Sequence, residues 1–294
     1  MRIGAGSKGK AMIVITTIEE MRSAIRSARK EGISVGFVPT MGSLHEGHVS
    51  LVRRSAAENG LTVVSIFVNP TQFNDAADLE KYPRNIESDS EAAGKAGASI
   101  LFVPPVREIY PDGFDTSVIV GHVTETLCGA GRPGHFRGVA VVVLKLFNII
   151  APDTAYFGNK DAQQVAVVKK MVKDLNVDVR IVACPIVREE DGLAMSSRNV
   201  FLSKEQRRQA AVLPESLELA RAMAASGVID ARAVIDAVAA KIREKELAEI
   251  EYIDIVDADT MQSASSIENG SLLAVAVRFG DTRLIDNAIL EVYN

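Results

Sequence analysis

The stretch "TMGSLHEGHV" at residues 40–49 carries two of the chain's four histidines, His45 and His48, three positions apart in a glycine-containing segment. Three kinds of chemistry could use such a pair. A zinc protease needs H-E-x-x-H, with the histidines at i and i+4 on one helix face, and a catalytic zinc takes three protein ligands. His45-Glu46-Gly47-His48 is one residue too short for that, and few further histidines remain. Burial in a core suits a histidine on an element better than one in a Gly-rich loop, where function concentrates. The third reading is an anion site. A strand, a turn with Gly42 and Gly47 and a new helix N-terminus bring free N–H groups toward a phosphate, while two imidazoles at i and i+3 add side-chain donors. Such donors would stabilise charge developing on a leaving group.

Four further segments have the composition of site loops. "FVNPTQF" (67–73) offers Asn69 and Gln72, and "CGAGRPGHFRG" (128–138) offers Arg132, His135 and Arg137. "FGNKDAQQ" (157–164) ends an apolar segment and opens a helix with Lys160, Asp161, Gln163 and Gln164. "DGLAMSSRN" (191–199) sets Ser196, Ser197 and Arg198 before a helical region.

These loops need a scaffold. Short β-branched runs at 33–38, 61–68, 98–103 and 177–183 read as strands buried on both faces of a parallel sheet. Helical patterns at 48–59, 85–97 and 161–175 lie between them. Strand–helix alternation predicts an α/β, doubly wound sheet of Rossmann-like type, with its site at the carboxyl ends of the strands. After residue 187 the texture changes to helices at 203–225 and 230–248 and strands at 250–257, 271–280 and 282–290. This predicts a smaller α+β domain. The expected organisation is a disordered leader at 1–11, a nucleotide-binding domain at 12–187 and a C-terminal lid domain at 188–294.

Composition narrows the function classes. The net charge of −5, from 33 basic and 38 acidic residues, gives no global attraction to nucleic acid or an anionic membrane. The longest apolar run, "AVVVLKLFNII" (140–150), is broken by Lys145 and too short to span a bilayer. Two cysteines without a CxxC pattern fit a reducing cytoplasm. "GAGSKGKA" (4–11) has the glycine and lysine spacing of a P-loop. Ala11 replaces the hydroxyl residue that would hold Mg²⁺, however, and no strand precedes it, so a P-loop is rejected.

H-x-G-H after a first strand resembles the signature of the nucleotidyltransferase superfamily, which includes class I aminoacyl-tRNA synthetases. Together with "YPRN" (82–85) and "RFGDTRLIDN" (278–287), the ordered segments resemble the pantoate–β-alanine ligase family over residues 12–294. The resemblance implies ATP, (R)-pantoate and β-alanine as substrates, a pantoyl-adenylate intermediate, AMP and pyrophosphate as products, and a homodimer. It implies that Pro39, Thr40, Met41, Gly42, Ser43, Leu44, His45, Glu46, Gly47 and His48, with Gly158, Asn159, Lys160 and Asp161, line ATP. Val187 would meet the adenine side, and Met195, Ser196, Ser197 and Arg198 would close on the phosphates as the counterpart of the synthetases' K-M-S-K-S loop. His48 would take the proton-donor role, with His45, Lys160, Arg198, Ser196 and Ser197 completing the catalytic set. Gln72 and Gln164 would hold pantoate, with Met41, Asn69, Tyr82 and Arg132 near the substrates. Mg²⁺ would be held mainly through ATP phosphates, with no dedicated metal ligands on the protein.

The residue types suit that chemistry. A carboxylate attacking a polyanion needs positioning and charge neutralisation, and neutral glutamines can orient it without quenching its nucleophilicity. Three positions depart from the family pattern: Asn159, where Glu or Gln is usual; Ala162, where an aromatic is usual; and Ala77, where an acidic residue is common. A related nucleotidyltransferase acting on a phosphorylated substrate would call for extra cations near Gln72 and Gln164. A non-catalytic nucleotide binder would have no use for His45, His48, Lys160 and Arg198 together.

Overall fold

Strands β1 (Ile13–Ile15), β2 (Val35–Thr40), β3 (Leu61–Ile66), β4 (Ile100–Phe102), β5 (Thr154–Gly158) and β6 (Arg180–Cys184) form one parallel sheet in the order β1-β4-β3-β2-β5-β6. They are seen in a computed structural model that describes residues 12–293, leaving aside the side chains of residues 76–78. The expectations for residues 1–11, and for Ala77, lie outside what is described. The four predicted strands are all present. Two more, β1 and β5, were not among the expected strands.

The helices in chain order are α1 (Ile18–Lys30), α2 (Glu46–Glu58), α3 (Ala76–Lys81), α4 (Ile86–Lys95), α5 (Val106–Ile109), α6 (Leu127–Gly131), α7 (His135–Ile150), α8 (Ala162–Asp174), α9 (Lys204–Ala210), α10 (Val212–Ala225) and α11 (Ala231–Arg243). Their boundaries follow local chemistry. Thr17 caps α1 by accepting from the Glu20 N–H, with acidic residues in the first turn and Arg29 and Lys30 in the last, as the helix dipole favours. The apolar run at 140–150 becomes the body of α7, which is buried on nearly every side. A run hydrophobic all round suits a helix enclosed by protein as well as it suits lipid. Among the described residues no helix is long and apolar enough to cross a membrane.

The sheet fixes where a ligand site can form. From β2 the chain winds toward β3 and β4, whereas β5 and β6 lie on the other side of β2. The winding therefore reverses between β2 and β5, which pair directly through Gly36–Thr154 and Phe37–Ala155. In open parallel sheets, crevices form at such a reversal, beyond the carboxyl ends of the strands. Met41 follows β2 there and Asn159 follows β5.

The described chain divides into two compact units, one of residues 12–120, 133–159 and 167–185, the other of residues 121–132, 160–166 and 186–293. The expected cut at 187/188 falls close to the last boundary, but the second unit also gathers two earlier segments. Side-chain hydrogen bonds explain why. Thr126 Oγ1 donates to the Met261 carbonyl at 2.6 Å, Asn287 Nδ2 to the Lys160 carbonyl at 3.0 Å, and Gln163 Nε2 to the carbonyls of Val123 and Thr126 at 3.0 and 2.9 Å.

Within the second unit, β7 (Ala248–Val256), β8 (Ser271–Phe279) and β9 (Thr282–Leu290) make an antiparallel sheet in that order. Leu213, Leu217, Val234, Val238 and Ile242 pack on it with Leu273, Val275 and Val277. Two predicted helices are corrected. The helix expected at 203–225 breaks at Ala211, because Pro214 lacks an N–H and is tolerated only in the first turn of a new helix. The helix expected at 230–248 stops at Arg243, and Ala248 already belongs to β7, whose pairing with β8 outweighs local helix propensity.

Candidate active site

In the first unit the histidine stretch follows β2 directly. His45 is the N-cap of α2, in extended backbone, and Gly47 and His48 lie in its first turn. His48 reaches back to the N-cap, its Nδ1 accepting from the His45 N–H at 3.4 Å. The rings stand 4.1 Å apart at 37°. Because Nδ1 accepts, a neutral His48 carries its proton on Nε2. The arrangement thus selects the tautomer with an Nε2–H donor.

The turn between strand and helix differs from expectation in one respect. Its N–H groups are engaged within the protein rather than offered to a phosphate. The Gly42 N–H donates to Thr40 Oγ1 at 3.1 Å, and those of Ser43 and Leu44 donate to the Asp89 carboxylate at 2.9 and 2.7 Å. The His45 N–H is spent on His48. The N–H groups of Glu46 and Gly47, in the first turn of α2, have no carbonyl of a preceding helical turn to reach. An anion here would meet a helix N-terminus and two imidazoles, not a cradle of loop amides. Gly42, at φ +85°, has no room for a Cβ, which would lie 2.9 Å from Asp89 Oδ2 and 3.0 Å from Ile66.

Gln72 is held by an elaborate support. Asn69 Nδ2 donates to Gln72 Oε1 at 3.0 Å and to the Gly138 carbonyl at 3.1 Å, while its Oδ1 accepts from the Thr71 N–H, the Thr71 hydroxyl and the Tyr110 hydroxyl. The Gln72 amide is thereby oriented, oxygen toward Asn69 and NH₂ toward Met41 Sδ at 3.1 Å. His135 holds the Gln72 carbonyl through Nδ1 at 2.8 Å. Burial pushes the Tyr110 hydroxyl pKa up, which keeps it a donor at neutral pH. Lys145 lies over the Phe114 ring at 4.4 Å, and burial lowers its pKa. Asn69, expected beside the substrates, is 1% exposed and engages its amide on the protein. It orients Gln72. Tyr82, also expected there, is buried and packs edge-on against Phe73 with centroids 5.8 Å apart.

Part of the segment expected as a loop at 128–138 is helical. Leu127–Gly131 is α6, and α7 begins at His135 after Gly134, whose φ is +83°. The start of α7 crosses the turn at Pro70–Gln72 so closely that a Cβ on Gly138 would lie 2.4 Å from the Thr71 carbonyl oxygen. Gly138→Ala is expected to destabilise the protein by about 1–3 kcal/mol, as overpacking does, and to lower activity by shifting the Pro70–Gln72 turn. Denaturant unfolding and steady-state kinetics would check both, and an unchanged midpoint would show that the turn yields freely.

In the second unit, Lys160 is half-buried and its carbonyl is held by Asn287. Of the neighbouring glutamines, Gln163 is buried and structural, whereas Gln164 is half-buried and points from a different side of α8. Arg132 ends α6 and is half-buried. Residues 187–195 form a short hairpin: the Met195 N–H donates to the Val187 carbonyl at 3.0 Å and that of Glu189 to the Leu193 carbonyl at 2.9 Å. Arg207 clasps Glu189 and Asp191, each at 2.7 Å, and its guanidinium holds the Glu189 carboxyl below the usual range. Arg188 makes a two-pronged pair with the buried Asp286 at 2.7 and 3.1 Å. After the hairpin, the Ser196 hydroxyl accepts from the Arg198 N–H at 3.2 Å, so it shapes the turn carrying Arg198. Ser197 and Arg198 are half-buried. Asp161 is exposed, and Gly158 and Asn159 are half-buried at the end of β5.

Asp89 was not anticipated, although a signal existed. It shares one stripe of α4 with the buried Ala93 and Ala96, at i, i+4 and i+7. An acidic residue on an apolar stripe requires donors. Among the described residues no group of three or more His, Cys, Asp or Glu converges as a metal site.

A doubly wound parallel sheet with helix N-terminus and polar loops beyond its switch point defines an α/β protein of the nucleotide-binding type. The chain belongs to the pantoate-beta-alanine ligase family, whose model matches residues 13–289. It is 53% identical over 281 residues to the pantothenate synthetase of Acetivibrio thermocellus, covering 96% of this chain and 100% of that one. A crystal structure of pantothenate synthetase from Thermus thermophilus superposes with a TM-score of 0.90 at 44% identity, covering 95% of this chain and 100% of that one. A pantoate-beta-alanine ligase from Francisella tularensis, solved in complex with beta-gamma ATP and beta-alanine, gives a TM-score of 0.78 at 35% identity, covering 95% and 98% of the two chains.

Proposed function

We propose that the chain condenses (R)-pantoate with β-alanine in an ATP-dependent, AMP-forming ligation. In the first half-reaction a pantoate carboxylate oxygen attacks the α-phosphorus, the bond to the bridging oxygen breaks, and pyrophosphate leaves. In the second, the amine of β-alanine attacks the acyl carbon of pantoyl adenylate, AMP departs, and the amine loses a proton. Membership of the family supports the overall reaction, and the observation that carries the residue roles is the His48 tautomer. With Nδ1 accepting from the His45 N–H, Nε2–H becomes the donor at the N-terminus of α2, where developing negative charge is favoured.

Gln72, its amide oriented by Asn69, holds pantoate together with Gln164. Neutral amides suit this task, since a cation would lower the nucleophilicity of the carboxylate. Lys160 and Arg198 offset charge on the phosphates and on departing pyrophosphate. Met41 to His48, with Gly158 to Asp161, serve the nucleotide; Val187 serves its adenine side, and Met195 to Arg198 its phosphates. The described residues offer no converging carboxylates that would hold Mg²⁺ by themselves. Mg²⁺ would be held mainly through the nucleotide phosphates, as at such sites it commonly is, and would offset charge there. We further propose that the protein works as a homodimer in the cytoplasm, with the C-terminal unit acting as a lid.

Isotope exchange between pyrophosphate and ATP tests the mechanism. Exchange is expected with pantoate present and β-alanine absent. No exchange, or ADP in place of AMP as product, would sink the adenylate route, and ADP would point to γ-phosphoryl transfer through an acyl phosphate instead.

A further inference from the structure

The Asp89 carboxylate is 3% exposed, yet its hydrogen-bond partners are two backbone N–H groups, those of Ser43 and Leu44, rather than a cation. These two residues are the last before the N-cap His45. The chain there takes up backbone that is otherwise unfavourable, with φ +85° at Gly42 and +52° at Ser43. A non-glycine residue in the left-handed region persists only where its surroundings hold it. Asp89 supplies that hold from the first turns of α4. It also consumes the two donors that would otherwise point wherever the loop relaxed.

We propose that Asp89 is a positioning residue for the adenylation step: by clamping Ser43 and Leu44 it sets the entry of α2, and so the direction of the His48 Nε2–H. The proposal rests on the adenylating function argued above. Asp89 touches neither substrate nor reacting atoms in this account. Its effect runs through the capping pair, since His45 can hold Nδ1 of His48 only from the N-cap geometry that the clamp sets. Asparagine at this position keeps one acceptor oxygen and turns an NH₂ toward a backbone N–H. Alanine removes both acceptors.

The test compares the two half-reactions in the full-length Asp89→Asn and Asp89→Ala variants. Pyrophosphate–ATP exchange is expected to fall about 10–100-fold in kcat, the scale of a small misplacement of a reacting group, with KM for pantoate little changed. Conversion of chemically supplied pantoyl adenylate and β-alanine to product should stay near the wild-type rate, because pyrophosphate has already left. Imidazole nitrogen NMR should show His48 losing its uniform Nε2–H tautomer. Exchange at the wild-type rate would overturn the proposal. So would an equal fall in both half-reactions, which marks a merely structural role. If Asp89→Ala does not fold, Asp89→Asn, close in shape to the native side chain, decides the matter by the same two readouts. Absence of exchange in the wild-type protein would instead count against the adenylate mechanism itself.

Discussion

Replacing His48 by alanine is expected to slow pyrophosphate–ATP exchange by on the order of 10²–10⁴, the range for losing a positioned proton donor. The expectation comes from geometry. His48 lies in the first turn of α2, and its Nδ1 accepts from the His45 N–H, which leaves Nε2–H as the donating atom. The loop amides that might have shared the work are committed to Thr40 and Asp89. Few donors thus remain to substitute for the imidazole. The loss should appear in kcat more than in KM, because charge on the leaving group develops only in the transition state. Part of the effect could come from the broken cap, whose loss costs about 0.5–2 kcal/mol of stability. A thermal unfolding midpoint separates the two contributions. His48→Gln offers an amide N–H in place of the ring donor and should recover some activity if hydrogen bonding, rather than proton transfer, dominates. A near-normal rate for His48→Ala would remove His48 from the mechanism.

Lys160→Ala is expected to lower the same exchange rate by on the order of 10²–10³, as loss of one electrostatic donor does. The backbone of Lys160 is anchored by Asn287 through the carbonyl, and that bond survives truncation of the side chain. The variant should therefore fold normally, and the deficit can be ascribed to the ammonium. It should be larger in adenylate formation than in the attack of β-alanine on preformed adenylate. Equal losses in both steps, or none, would assign Lys160 a different task.

Much of the scaffold could be read along the chain. Near-continuous apolar runs such as "LTVVSI" have one physical solution in a strand–helix alternation, a parallel sheet buried on both faces. The last two strands were equally legible, expected at 271–280 and 282–290 and found at Ser271–Phe279 and Thr282–Leu290, and the structure pairs them across Gly280 at φ +59°. Segments whose structure depends on distant partners were not. The 128–138 stretch reads as a glycine-rich loop, yet its second half is the start of a helix whose Gly138 permits close approach to the Pro70–Gln72 turn. That approach joins residues almost seventy positions apart, and no local pattern encodes it.

The candidate site divides in the same way. Residue types and order marked the segments that carry His45, His48, Gln72, Lys160, Gln164 and Arg198 as candidates, and the family resemblance chose these residues from among their polar neighbours. Their division of labour needed the fold. Asn69 and Gln72 look alike in sequence, but burial makes the first a support for the second. Gln163 and Gln164 are adjacent, and the turn of α8 sends one into the protein and leaves the other half-exposed. The sequence by itself determined the kind of sheet, through the periodicity of its apolar runs, and the family, through the resemblance of its ordered motifs. Only the tertiary structure decided that the loop amides after β2 are closed off by Asp89, because a buried carboxylate chooses its donors by what packing brings within reach.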